Sequence, residues 1–511
     1  MSTAESPGTA PQEQRPNILL IQADQLAARA LGAYDNDVVS SPNIDSLADE
    51  STVFEHAYCA SPLCAPSRAS MLTGQLPSEI GAYDNAADFL ASVPTFAHHL
   101  RNAGYHTSLV GRMHFIGPDQ LHGFEERLTT DVYPAGLDMV PDWNLTADER
   151  LAWYHETGSV FDAGPSVTTV QLDFDNEVLF RTLRQLDDRV RAEDPRPFLV
   201  VASFIHPHDP YEPPSSFWHR YDDVDIDDPK IPPVDFDELD PHSQRLQKMC
   251  GFDQRIPSSE QVRRARRAYY ASVSYVDDLV GRILARVDEL GLRENTVIIL
   301  TSDHGELLGE RGMWYKMSPF EGSIQVPLMI SAPHRLAAGR IDTPVSLLDI
   351  LPTLTDLAEY DPGEVEGRSL LDTARGDVAD RDIIVEYLAE GLNEPQVTLI
   401  RGPWKFVHCP GDPDQLFNLR EDPDELVNVA DEPAHQSVVS DFLATLDEKY
   451  DFEELDRKVK QSQSRRRTVQ RALTKGSPNA WDHEPPVQDN YVRGDFWTAV
   501  NRRRIPAEDQ D

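Results

Sequence analysis

The sequence predicts an α/β protein: a large mixed, mostly parallel sheet sandwiched by helices, followed by a small C-terminal antiparallel sheet and an extended tail. Three observations predict it. Short apolar runs rich in β-branched residues recur along the chain, most of them ending in carboxylate or imidazole side chains, as buried parallel strands do at a ligand-binding rim. Between them lie stretches whose apolar residues follow a helical period. After about residue 375 the texture changes to closely spaced strands separated by Gly and Pro turns, which is how antiparallel neighbours read.

The first strand is residues 17–23, NILLIQA, and it delivers Asp24 and Gln25 at its C-terminal end. Read alone, Asp24 there is equally a ligand-site carboxylate or the cap of the next helix. Residues 107–110 lead to Arg112 and His114, residues 198–204 lead to His206, and residues 296–301 lead to Asp303 and His304, with a further strand at 326–331. A helix is predicted over 259–290, where Val262, Tyr269, Val273, Val276, Leu279, Ile283 and Val287 lie near a helical period, and another over 346–357. The small sheet is predicted from 383–388, 397–401 and 404–407, with 415–426 continuing it and turning into a helix. The layout expected is a disordered leader at 1–15, an α/β domain at 16–375, an α+β subdomain at 376–460 and a tail at 461–511. The tail is basic around Arg465-Arg466-Arg467 and then carries Trp481, Tyr491, Phe496 and Trp497. So many aromatics gain little alone in water, so docking onto the body or a neighbouring subunit is expected.

Composition narrows the function classes. The 87 acidic and 47 basic side chains give a formal charge of −40, which repels nucleic acid and anionic membrane. It also fits a cytosol of high salt, where screening removes self-repulsion. No run of about 18 apolar residues is present, so no membrane helix is expected. The first 15 residues lack an apolar signal core, and the four cysteines are too sparse for a disulfide framework. A reducing cytoplasm is the expected location.

Asp24, His114, His206, Asp303 and His304 all stand at or beyond predicted strand ends, so they are expected to converge on one rim. Carboxylates with an imidazole suit one divalent cation, Ca²⁺ first, with Mg²⁺ or Mn²⁺ as alternatives. Cys64 lies in Cys64-Ala65-Pro66-Ser67-Arg68, a C-x-P-x-R pattern followed by Leu72-Thr73-Gly74. By itself this pattern fits a thiol packed as a small hydrophobe as well as a catalytic residue.

Together with residues 81–87, 117–128 and 206–211, that stretch resembles the sulfatase branch of the alkaline phosphatase superfamily, and within it the choline sulfatases. The resemblance runs from about Asn17 to Arg493 and includes the Arg-rich, Trp481-Asp482 tail. It implies an alkaline-phosphatase-like fold, and oxidation of Cys64 to formylglycine by a formylglycine-generating enzyme. An aldehyde hydrate attacks with one hydroxyl and expels sulfate as the other restores the carbonyl, which gives covalent catalysis its own exit. By the same resemblance the metal ligands are Asp24, modified Cys64, Asp303 and His304, Arg68 and Arg112 balance charge, His114 is the base, and His206 and Lys316 bind sulfate oxygens and protonate the leaving alcohol. Asn85, Met139, Trp143, Glu386 and Asp495 are the substrate-binding candidates.

The sequence departs from the family pattern at three places: Gln25 stands where many sulfatases have Asp, Arg112 where Lys is usual, and Met139 where choline sulfatases carry an aromatic. Aromatic faces hold quaternary ammonium groups, so Trp143, Phe124 or a tail aromatic would have to compensate. The expected substrate is a small alkyl sulfate, choline-O-sulfate first. The alternatives are phosphonate monoester or phosphodiester hydrolysis at the same site, or non-catalytic binding of a sulfated osmolyte. A homodimer or homotetramer assembled through the tail is expected.

Overall fold

The computed structural model describes residues 15–145, 155–376, 381–477 and 481–485. Residues 1–14 of the expected leader, and Tyr491, Asp495, Phe496 and Trp497 of the tail, lie outside them. Among the described residues, nine strands form the large sheet: β1 (Asn17–Asp24), β2 (Thr52–Tyr58), β3 (His106–Gly111), β4 (Glu126–Arg127), β5 (Phe198–Pro207), β6 (Thr296–Ser302), β7 (Gln325–Ser331), β8 (Gly339–Ile341) and β9 (Val345–Ser346). Their order is β4-β3-β5-β1-β6-β7-β2-β8, with β9 also on β2. β4, β3, β5, β1 and β6 are mutually parallel, whereas β7 runs antiparallel to both β6 and β2. The sheet is therefore mixed and mostly parallel, as expected.

β1 is central because it is apolar on both faces: Leu19, Ile21 and Ala23 enter one core cluster, Ile18 and Leu20 the other. That period of two is what a strand covered on both sides requires. On the first side lie the helices Ser259–Glu289 and Val170–Arg191. Ser258 and Gln261 form a capping box that starts the former. The second side is covered by the helices Cys64–Thr73, Phe96–Asn102 and Ile350–Leu357. The helix expected from 346 starts later, because Val345–Ser346 pairs with β2 and Ser346 then caps a tight turn at Leu347–Asp349.

The small sheet is the antiparallel ladder β10 (Ile383–Tyr387), β11 (Gln396–Arg401), β12 (Trp404–His408) and β13 (Gln415–Asn418). The helix expected directly after it begins only at Gln436, and Gln436–Lys449 packs Phe442 on Phe406 with ring centroids 5.4 Å apart. One continuous helix, Phe452–Leu473, then crosses the position where a boundary was expected at 460/461. No described helix is long and apolar enough to cross a membrane.

Candidate active site

The parallel block places the C-terminal ends of β1, β3, β5 and β6 side by side: Ala23 pairs with Phe204 and Ser302, and Gly111 with Ser203. Gly111 has φ 104°, and a Cβ there would stand 2.0 Å from the Ser203 carbonyl oxygen, so only glycine lets the chain turn toward Arg112. Cys64 begins the helix Cys64–Thr73, and Arg68 follows one turn later on the same face. Thus the C-x-P-x-R spacing aims a thiol and a guanidinium at the same rim. Pro66 falls in the first helical turn, where its missing N–H costs nothing.

Arg68 is fully buried. Its Nε donates to Asp303 Oδ2 at 2.8 Å and its Nη2 to Asp24 Oδ2 at 2.8 Å. Arg112 Nε reaches the same Asp24 oxygen at 2.6 Å. Burial raises the Asp24 carboxyl, but Arg112 and Arg68 outweigh it and hold it at about 2. His304 is pushed down to about 4, first by burial. Its Nδ1 lies 3.0 Å from the Gly305 carbonyl oxygen, which can only accept, so the Nε2 lone pair is free to face inward. That nitrogen is 3.1 Å from Cys64 Sγ, 3.8 Å from Asp24 Oδ1 and 3.7 Å from Asp303 Oδ2. The four ligand atoms of Asp24, Cys64, Asp303 and His304 lie within 4.8 Å of one another, all buried. Two carboxylates, a correctly oriented imidazole and a residue at position 64 fit a divalent cation.

Burial and Asp24 push the Cys64 thiol up to about 12. A neutral thiol is a poor nucleophile, so the unmodified cysteine is not activated by its surroundings. Beside it opens a cavity of ≈180 Å³ whose wall includes Asn85, Arg112, His114, Tyr133, Met139, His208 and Lys316. Arg112 Nη2 stands 3.1 Å from His114 Nδ1. A guanidinium only donates, so the neutral ring carries its proton on Nε2, which is buried without a protein partner. Burial and Arg112 lower His114 to about 3. The resting His114 is therefore a neutral hydrogen-bond donor at Nε2. Asp131 Oδ2 accepts the backbone N–H groups of Met113 and His114, at 3.1 and 2.9 Å, and fixes this turn.

Sequence reasoning placed His206 in the site, and the structure does not bring it to the cavity wall. His206 Nδ1 is 2.7 Å from Asp175 Oδ2 and its ring meets Tyr275 edge-on at 5.3 Å, which ties it to the helical layer and away from the cavity wall. His208 lines the cavity instead, with Nε2 accepting from Lys316 Nζ at 2.8 Å and Nδ1 at 2.6 Å from the Asp209 carbonyl oxygen. Lys316 Nζ also donates to Gln25 Oε1, so Gln25 holds the ammonium in place of acting as a further anionic ligand. Trp143 is outside the cavity as well, its Nε1 donating to the Ala389 carbonyl at 2.8 Å. Glu386 is consumed by Ser78 N, Ser78 Oγ and the Tyr450 hydroxyl at 2.8, 2.7 and 2.7 Å. Phe124 packs edge-on against Phe96 in the core. Asn85 and Met139 do line the cavity.

Sequence reasoning missed Tyr133, Asp131, His155 and Glu156. The first two follow β4, a strand of two residues that no pattern could reveal, yet its parallel pairing sends the next loop to the same rim. Tyr133 lies 4.3 Å from the Arg112 guanidinium carbon. His155 stacks on Tyr315 at 4.4 Å, with Nδ1 3.1 Å from Asp209 Oδ2.

The fold and this site define a hydrolase of tetrahedral anionic esters, built on an alkaline-phosphatase-like sheet. Similar solved structures share that fold: the phosphonate monoester hydrolase of Agrobacterium radiobacter, with TM-score 0.66 and 24% identity over 84% of this chain and 95% of that one, and a 2-O GAG sulfatase, with TM-score 0.67 and 22% identity over 93% and 99%. The Sulfatase family model matches residues 16–360, the model of the N-sulphoglucosamine sulphohydrolase C-terminal region matches 309–451, and that of the choline sulfatase enzyme C terminal matches 457–497. A choline-sulfatase of Rhizobium meliloti (strain 1021) is 44% identical over 94% of this chain and 96% of its own length. An arylsulfatase of Clostridium perfringens is 32% identical over 70% and 78%. The chain belongs to the sulfatase family and is a sulfuric ester hydrolase.

Proposed function

We propose that this chain hydrolyses choline-O-sulfate to choline and sulfate. The observation that carries the reading is the small cavity beside Cys64. At ≈180 Å³ it is smaller than the roughly 300–1,000 Å³ of drug-sized pockets, and it crowds anion donors against an aromatic ring and an outer carboxylate, Glu156. The whole-length similarity to a choline-sulfatase and the match at 457–497 support the same substrate.

The sulfate end fits the Arg112, His114, His208 and Lys316 side of the cavity. Arg112 and His114 Nε2 donate to its oxygens, and Lys316, oriented by Gln25 and His208, presents a proton toward the ester oxygen. An alkoxide leaves poorly, so this proton matters more than it would for an aryl ester. A divalent cation, Ca²⁺ in the first instance, held by Asp24, Asp303, His304 and residue 64 would supply Lewis-acid polarisation there. Position 64 is read as formylglycine, made by a formylglycine-generating enzyme. The trimethylammonium end fits Tyr133, Met139 and Glu156, with Tyr133 supplying the ring that position 139 lacks. The four buried free cysteines support a reducing cytoplasm. Assembly as a homodimer or homotetramer, and a domain limit near 375, remain part of this proposal.

Sulfate release from choline-O-sulfate, 3,3-dimethylbutyl sulfate and a simple aryl sulfate, and alcohol release from a phosphonate monoester, test it. The choline ester is expected to give the highest kcat/KM, and its neutral isostere about 10-fold less, the worth of one good cation contact. Preference for the phosphonate, or equal turnover of the neutral isostere, would overturn it.

A further inference from the structure

A second cavity, of ≈480 Å³, lies between the segment 228–262 and the turn 309–314. It is larger than the one beside Cys64 and of the size that holds small ligands. Three aromatic rings line it, Phe236, Phe252 and Trp314, together with three carboxylates, Asp228, Asp235 and Asp253. No Lys, Arg or His is among the residues that line it.

Such a wall selects by charge and by shape. Aromatic faces and carboxylates both attract a cation, while the apolar surface disfavours one that keeps a tight hydration shell, so an alkylated ammonium fits better than a metal ion. The protein already shows the attraction: Lys248 Nζ lies 5.8 Å from the Phe236 ring centroid, and Arg263 pairs with Asp228 at 3.0 Å from outside the cavity. Trp314 contributes to this wall with a side chain only 3% exposed.

We propose that this cavity is a second binding site, separate from the Cys64 cavity, for a small alkylated ammonium ion. It adjoins the catalytic cavity without belonging to it: Trp314 precedes Lys316 by two residues, and Phe252 packs on Tyr315 with centroids 6.2 Å apart. The inference does not depend on which ester is hydrolysed.

Isothermal titration of the full-length protein with choline chloride at constant ionic strength tests it, alongside 3,3-dimethylbutan-1-ol as the neutral isostere. Ile256 lines the mouth and is 77% exposed, so Ile256→Lys places an ammonium on a flexible stem at the cavity without disturbing the core. Asp235→Asn removes one wall charge and serves as a second variant. The expected result is choline binding that Ile256→Lys weakens at least about 10-fold and Asp235→Asn weakens severalfold, with the isostere at least about 10-fold weaker in the wild type and sulfate-ester kcat/KM unchanged in Ile256→Lys. Absence of choline binding, binding that both variants leave intact, or equal binding of the isostere would overturn it.

Discussion

His206 and His208 stand two residues apart and do different work. The first is locked by Asp175 beneath the rim, and the second shares a proton network with Lys316 in the cavity. His208→Ala is expected to lower kcat about 10²- to 10⁴-fold, the usual worth of a positioned proton-transfer group. His206→Ala is expected to cost about 1–3 kcal/mol of stability, through the lost ring contact to buried Asp175, which keeps only the backbone N–H groups of residues 205 and 206, with kcat changed only a few-fold. Steady-state kinetics and thermal melts of both variants decide it, and the reverse pattern would restore the role first expected of His206. Asp131 makes a pH-dependent contribution at the same scale. Burial opposes its charge, but Arg127 and Arg112 outweigh it and hold the carboxyl at about 2, below the ordinary 3.8. A depressed carboxyl stabilises the fold above its unfolded value and loses that contribution as pH falls through the folded value; here it is about 2 kcal/mol. Melting temperature should therefore fall more steeply between pH 4 and pH 2 in the wild type than in Asp131→Asn, and parallel curves would contradict the assignment.

The helix Phe452–Leu473 is more than the solvated basic stretch its composition suggests. Arg466 makes a bidentate pair with Asp84 at 2.7 and 2.6 Å, and both are buried. Asp84 precedes Asn85, which lines the cavity and accepts the N–H next to Cys64 at 2.9 Å. Gln463 accepts Trp143 N at 2.9 Å, Arg467 pairs with Asp142, Gln470 reaches Asp138, and the returning Trp481 packs in the cluster of Met139. One helix and the segment after it thus brace both loops that shape the substrate end. Arg466→Ala is expected to cost about 3–5 kcal/mol, because it strands a buried carboxylate, and to raise KM. Pairing Arg466→Met with Asp84→Asn should recover most of the stability, as chemical denaturation of the single and double variants will show; additive losses would contradict the coupling. The sequence made the parallel strands and the metal cluster legible, because each buried strand ends in its own ligand residue. It hid β4, the Tyr133 loop and the Arg466 contact. Strand pairing of two residues and an ion pair spanning 382 positions leave no local pattern. Val170–Arg191 is hard to read from the sequence for a related reason: its apolar stripe is narrow among many charges.

At the scale of the whole molecule, a chain of formal charge −40 must attract an anionic ester. It does so by concentrating Arg68, Arg112 and Lys316 at one rim of the parallel strands, where low-dielectric walls strengthen their field. Arg68 and Arg112 are balanced by Asp24 and Asp303, while Lys316 is held by Gln25 and His208. Within this cluster Cys64 is a neutral thiol, too weak a nucleophile to justify so costly an arrangement. The central claim is therefore that residue 64 acts as an aldehyde. Peptide mass spectrometry of the 61–74 segment, on protein purified from its native host with sulfatase activity intact, tests it most directly. The account predicts a peptide carrying an aldehyde in place of the thiol; a fully active protein whose peptide retains the cysteine thiol would contradict it.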